Sequence, residues 1–185
     1  MPYIPEFLIV PLITVFISAV SLSLVSVPVV LKRWSFLAVG ISHGAFFGVA
    51  VGLLLGLHPF IFGVISGFLL VILVSIVSRG TSVDEDTVIG FLFPFFMALG
   101  VIAFSLGGVS YVDAFSYLFG GIFAIEEGYL LWAIFTFLVT LMFLLTSWRG
   151  LFLWIMNEEM SISFGVNRLF IYTALLLITT FNIVL

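Results

Sequence analysis

The sequence predicts an all-α fold, a polytopic transmembrane helical bundle of about six spans with its N-terminus outside. Three observations predict it. Of 185 residues, 64% are hydrophobic and 8% charged, where a soluble domain carries about 25% charged residues. The mean hydropathy is +1.45, and at about 20 residues per crossing the chain holds about six to eight spans with short loops. The runs from Val49 to Leu57 and from Phe68 to Val77 are almost unbroken in apolar side chains. A membrane β-barrel would alternate apolar and polar residues, so helices are the spanning element.

Charged residues punctuate the apolar runs and place the spans near 7–31, 34–57, 60–78, 88–107, 129–147 and 168–185. The first stretch has the apolarity of a secretion signal, but Glu6 is its only charge and Phe7 to Leu31 is of spanning length, so it reads as a retained helix. Alternating the helices puts Lys32, Arg33, Arg79, Arg149 and Arg168 on one face, which the positive-inside rule makes cytoplasmic. Outside lie His58-Pro59 and the loop from Gly108 to Gly128, which carries Asp113, Glu126 and Glu127. Within that loop Ala114 to Ile125 is apolar but about half of spanning length, the signature of a re-entrant or interfacial segment. The acids Asp84, Glu85 and Asp86 stand where they cap the helix that begins near Val88. In the fifth loop Asn157, Glu158 and Glu159 open a short amphipathic helix containing Met160 and Phe164 and closed by Gly165. Such a helix docks a soluble partner or lies at the lipid interface. No linker divides the chain, which reads as one membrane domain over 1–185.

Charge and composition exclude several functions. A net charge of −4 with five basic residues is too few cations to neutralise a phosphate backbone, so nucleic acid is not a partner. The chain has no cysteine, which removes disulfides, thiolate ligands and a thiol nucleophile and leaves only nitrogen and oxygen donors for any metal.

The second span carries Gly40, Gly44, Gly48, Gly52 and Gly56, one at every fourth position. Each four-residue step advances about 400°, so the glycines form a slowly winding groove. That groove lets another helix approach closely, or lines a pathway. His43 lies on the same span ten residues past Arg33, about 15 Å along the helix and near the bilayer centre. An ionisable side chain there marks a substrate or proton path, and neutral imidazole suits Zn, Cu, Fe and Ni; alternatively His43 hydrogen-bonds a neighbouring helix. Ser42 is adjacent but points about 100° away, which argues against a hydrolytic dyad. His58, beside Pro59, reads as a solvated loop histidine.

Taken together these segments resemble the permease subunits of the zinc, manganese and iron ABC importer family. The matches run in order: Ile41-Ser42-His43 with Gly48-Val49-Ala50-Val51-Gly52, then Glu85-Asp86-Thr87-Val88-Ile89-Gly90, Ala98-Leu99-Gly100, Ser116-Tyr117-Leu118-Phe119-Gly120, and Asn157-Glu158-Glu159-Met160 leading to Gly165-Val166. The resemblance implies a type II-importer-like half in a prokaryotic cytoplasmic membrane. Two copies form the membrane domain, two cytoplasmic ATPase subunits drive it, and an extracytoplasmic binding protein delivers the divalent metal ion. ATP sits on the partner subunit, so this chain is not an enzyme and binds no cofactor of its own. His43 is the implied metal-meeting residue, and Asn157, Glu158, Glu159, Met160 and Gly165 belong to the implied coupling segment.

The family pattern also has an Asp four residues before the His, where this chain has Val39, and an acid after the Phe-Gly of the fourth loop, where it has Gly121. Fewer carboxylates favour a nitrogen-preferring ion such as Zn²⁺ over Mn²⁺. Family members continue with further helices past the position of Leu185, so the chain reads as C-terminally short. The competing reading is therefore a truncated or degenerate, non-transporting membrane scaffold. A channel or proton-coupled carrier ranks last, because His43 is the one ionisable group inside a well-defined span.

Overall fold

The computed structural model describes residues 6–81, 83–108, 125 and 127–185. All regular structure among the described residues is helical: α1 (Glu6–Leu31), α2 (Leu37–Leu54), α3 (Pro59–Gly80), α4 (Glu85–Leu106), α5 (Glu127–Met156), α6 (Glu158–Ser163) and α7 (Arg168–Val184). Five of these, α1 to α5, are long and apolar enough to cross a membrane, and α7 is a shorter apolar helix. They fall at the positions of the six predicted spans, except that α5 runs on to Met156, through residues expected to lie in the fifth loop. Large side chains such as Phe91, Leu131 and Leu145 are more than 70% exposed, a surface suited to lipid or to a partner helix rather than to water. The expected interfacial segment, up to its last residue Ile125, lies outside the described residues.

The chain divides into two compact units, α2–α4 and α1 with α5–α7. In the first unit α2 is held between two neighbours by its lack of side chains. A Cβ on Gly44 would stand 3.0 Å from Leu70, one on Gly52 would stand 3.0 Å from the Pro59 Cα, and one on Gly48 would collide with the Phe62 carbonyl of α3. On the α4 side a Cβ on Gly40 would lie 2.5 Å from Ile89. Reciprocally, Gly100 of α4 leaves room for the Phe46 ring, which packs on Phe104 with centroids 4.9 Å apart. The four glycines thus set the distance at which backbones meet.

Gly56 does something else. The helix stops at Leu54, two residues short of it, and Gly56 adopts φ +66°. Gly56 N–H donates to the Leu53 carbonyl and Leu57 N–H to the Gly52 carbonyl, the paired bonds of a left-handed helix stop that glycine makes without strain. Pro59 then opens α3 at its first position, where a missing N–H costs nothing.

The start of α2 is capped from a distance. Its N-cap Phe36 supplies no side-chain bond, but the Asp86 carboxylate of α4 accepts the Phe36 N–H at 2.9 Å. Asp84, at the N-cap of α4, makes no capping bond. The acids of the third loop therefore serve two helices: Glu85 and Asp86 stand in the first turn of α4, and Asp86 also caps α2. We expect Asp86→Ala to cost about 1 kcal/mol, the scale of a lost N-cap, and Asp86→Asn to recover most of it because the amide oxygen still accepts. Thermal unfolding in detergent checks this, and equal melting of Asp86→Ala and the parent would refute the cap.

The second unit pairs α1 with α5, and α7 packs by Ile171, Tyr172, Leu175 and Leu176, all buried. At one end Lys32, just past α1, sets its ammonium 3.7 Å from the Trp154 ring centroid. Trp154 in turn meets Tyr172 of α7 edge-on. A cation over a buried indole is worth up to about 2 kcal/mol.

Candidate functional site

His43 sits in the first half of α2. Because residues 32–36 form a turn and the helix begins only at Leu37, six residues separate His43 from its start, about 9 Å along the axis. The sequence expectation of about 15 Å counted from Arg33 as though the helix began there. The imidazole stands edge-on to Phe93 of α4, centroids 5.4 Å apart and planes at 83°. Its Nδ1 is buried and turned toward the Val39 backbone one helical turn earlier, without reaching hydrogen-bond geometry. A neutral imidazole carries one lone-pair nitrogen able to meet a metal ion.

Around His43, itself half-buried, the helix face is partly open. Val39 is 43% exposed, Ala38 is exposed as well, and Ser42 is not poised beside the imidazole because its hydroxyl donates to the Ala38 carbonyl at 3.0 Å. A hydroxyl engaged with its own backbone is not a nucleophile activated by His43. No group of three or more His, Cys, Asp or Glu able to hold a metal occurs among the described residues. What the described residues of one chain offer here is a single, half-buried imidazole with no second ligand group beside it. His58 is exposed just before α3, its side chain making no capping bond.

The second set of predicted residues belongs to the other unit. A helix forms over Glu158–Ser163, with the Asn157 side chain accepting the Met160 N–H at 2.9 Å. Gly165 takes φ +74° and ends it. Asn167 repeats the device for α7, accepting the Phe170 N–H at 3.1 Å. Glu158 is ion-paired with Arg168, so its charge is spent inside the segment. Glu159 and Ser163 are exposed, and beside them three large apolar side chains face outward: Met160 is 50%, Ile162 56% and Phe164 68% exposed, while Ser161 is buried. Glu158 braces the loop, and its outer surface joins the Glu159 carboxylate to the apolar trio.

One cluster escaped the sequence reading. Ser21 of α1, Thr140 of α5 and Asn182 of α7, all buried, meet through side-chain hydrogen bonds. Serine and threonine are ordinary in apolar helices, and only Asn182, an amide inside the last apolar run, carried a signal.

The family model described as "ABC 3 transport family" matches residues 5–185. The manganese import system permease protein ScaB of Streptococcus parasanguinis is 30% identical over 84% of this chain and 55% of its own length. The chelated iron transport system membrane protein YfeC of Yersinia pestis is 32% identical over 75% of this chain and 47% of its own. The high-affinity zinc uptake system membrane protein ZnuB of Haemophilus influenzae is 27% identical over 91% and 66%. Among solved structures, PsaBC from Streptococcus pneumoniae in complex with Fab aligns with a TM-score of 0.78 and 25% identity, over 97% of this chain and 65% of that one. The chain spans about half the length of the curated relatives it matches.

Proposed function

Because the chain belongs to the ABC 3 transport family, the multi-pass membrane fold and the permease role follow, and we propose that it is the membrane subunit of an ATP-driven importer of a divalent transition-metal ion in a prokaryotic cytoplasmic membrane. The observation that carries this reading is the family match along nearly the whole chain, laid over apolar helices. In this reading two copies of the chain face each other, an extracytoplasmic binding protein hands over the metal, and cytoplasmic ATPase subunits hydrolyse ATP. The permease itself hydrolyses nothing. The ion passes the open face of α2, where a ring nitrogen of neutral His43 replaces one water of hydration and is replaced by water in turn. One neutral imidazole without a carboxylate beside it binds Zn²⁺ better than Mn²⁺, which prefers oxygen donors. Zinc is therefore the favoured cargo.

Segment α6 is the proposed seat of the ATPase subunit. The Met160, Ile162 and Phe164 side chains offer an apolar knob on a loop stiffened by two asparagine caps and the Glu158–Arg168 pair. Buried apolar anchors of this kind dominate protein contacts.

The test is to purify the tagged chain from native membranes in mild detergent and identify by mass spectrometry what accompanies it. An ATP-binding subunit should come with it, and replacing Met160 and Phe164 with serine should reduce its recovery by about tenfold or more, as expected for two anchors worth above 1 kcal/mol each. Recovery of the chain alone, under conditions that preserve a relative's complex, would favour a non-transporting membrane protein instead.

A further inference from the structure

Most buried hydroxyls of α1, α5 and α7 serve their own helix. Thr14, Thr136, Thr179 and Thr180 each donate to the carbonyl one turn earlier, the usual way a membrane helix hides a hydroxyl. Ser21 and Thr140 do not, and with Asn182 they form a set of their own. They come from three different helices and are at most 4% exposed. Ser21 donates to Asn182 Oδ1 at 2.5 Å, and Asn182 Nδ2 donates to Thr140 Oγ1 and to the Ile178 carbonyl, each at 2.9 Å. The Ser21 and Thr140 hydroxyls lie 3.3 Å apart. The direction of that last bond follows from the donors available. Ser21 has one proton and Asn182 Oδ1 can only accept it, so the Thr140 hydroxyl donates to Ser21. The three side chains close a circuit in which both amide protons and both hydroxyl protons are used.

Such a circuit has one register. Apolar side chains slide past one another in lipid at small cost, whereas an asparagine moved by a turn loses partners with no water to replace them. Further along α7, its first residue Arg168 is paired with Glu158 of α6, and the Val166 N–H donates to the Ser161 carbonyl at 3.0 Å. Segment α6 is fastened to the start of α7, and α7 is fastened inside the unit to α1 and α5.

We propose that Ser21, Thr140 and Asn182 form an intramembrane latch that makes α7 move as one body with α1 and α5, so that a push on α6 reaches the membrane helices undiminished. The use of that motion in transport rests on the permease reading above; the latch itself does not. These are positioning residues, remote from His43 in sequence and on other helices.

The absence of cysteine allows a clean test in the full chain. Cysteines introduced at Val30 and Phe170, both exposed, carry spin labels, and the distance between them is measured by pulsed dipolar resonance in lipid nanodiscs. The parent should give one narrow distribution, and Asn182→Leu a broad or divided one. Thr140→Val, which keeps the shape, should broaden it too, and the double variant should be no worse than Asn182→Leu alone, because partners in one network do not add. Thr140→Val carries the test if Asn182→Leu fails to insert. A narrow distribution in these variants, or simple addition of their effects, would overturn the latch. With the co-purified ATPase subunit in liposomes, metal moved per ATP should fall about threefold or more in Asn182→Leu, the scale of single changes in a coupling network, while basal hydrolysis persists; an unchanged ratio would overturn its role in transmission. If the parent chain recruits no ATPase, the permease reading fails, and the label distances still decide the latch.

Discussion

Replacing Gly48 with alanine is expected to destabilise the α2–α3 seam by about 3 kcal/mol or more, the upper range for overpacking a filled interior, and to deplete the protein from membranes. The added methyl would collide with the Phe62 carbonyl oxygen and lie 2.6 Å from both the Phe62 carbonyl carbon and the Ser66 Cβ. Two of those atoms are backbone, so no rotamer change relieves the clash and α3 must move away as a whole. The same substitution at Gly90 on α4 provides the contrast. Nothing lies within 4 Å of a Cβ there, and alanine should be neutral or stabilise by up to about 1 kcal/mol through helix propensity. Membrane abundance and thermal unfolding in detergent measure both. Equal melting temperatures for Gly48→Ala and the parent would show that the seam is looser than its geometry.

The second large effect concerns transport. His43→Ala is expected to lower zinc uptake by about tenfold or more, comparable to losses on disturbing a metal's immediate surroundings, and to remove the preference for zinc over manganese in a competition assay with the assembled complex. Stability should hardly change, since the substitution gives up only the edge-on contact with Phe93, worth about 1 kcal/mol. His58→Ala, at an exposed loop position, should leave uptake near the parental value. Parental uptake and selectivity in His43→Ala would show that the ion takes a route away from this face of α2.

What could be read from the sequence was mostly what depends on one helix at a time. The run from Phe7 to Leu31 announces a spanning helix by length and apolarity, and the structure places α1 at Glu6–Leu31. Asn157 followed by two acids announces a helix start, and the cap forms as those residue types allow. Contacts between distant segments were beyond local patterns. Asp86 was legible as an acid near its own helix start, but its bond to Phe36, fifty residues away, depends on how α2 and α4 pack. Gly56 extended the four-residue rhythm of the α2 glycines and so passed for a member of the groove, while its left-handed φ assigns it to the helix stop. Glu158 was legible as an acid opening a short helix, and nothing in the spacing disclosed its ion pair with Arg168, ten residues on.

Helix α2 has two faces that answer to different masters. Along Gly40, Gly44, Gly48 and Gly52 every position is fixed by a neighbour, so nearly any mutation is a folding mutation. Around Ala38, Val39, Ser42 and His43 the helix is partly open, and under the proposed permease reading a change of side chain there would alter the chemistry met by a passing ion with little effect on whether the helix assembles. Such a division permits drift in cargo preference on an unchanged scaffold. It offers a physical route by which chains with one architecture come to serve manganese, iron or zinc, each a few substitutions from the next, without passing through sequences that fail to fold.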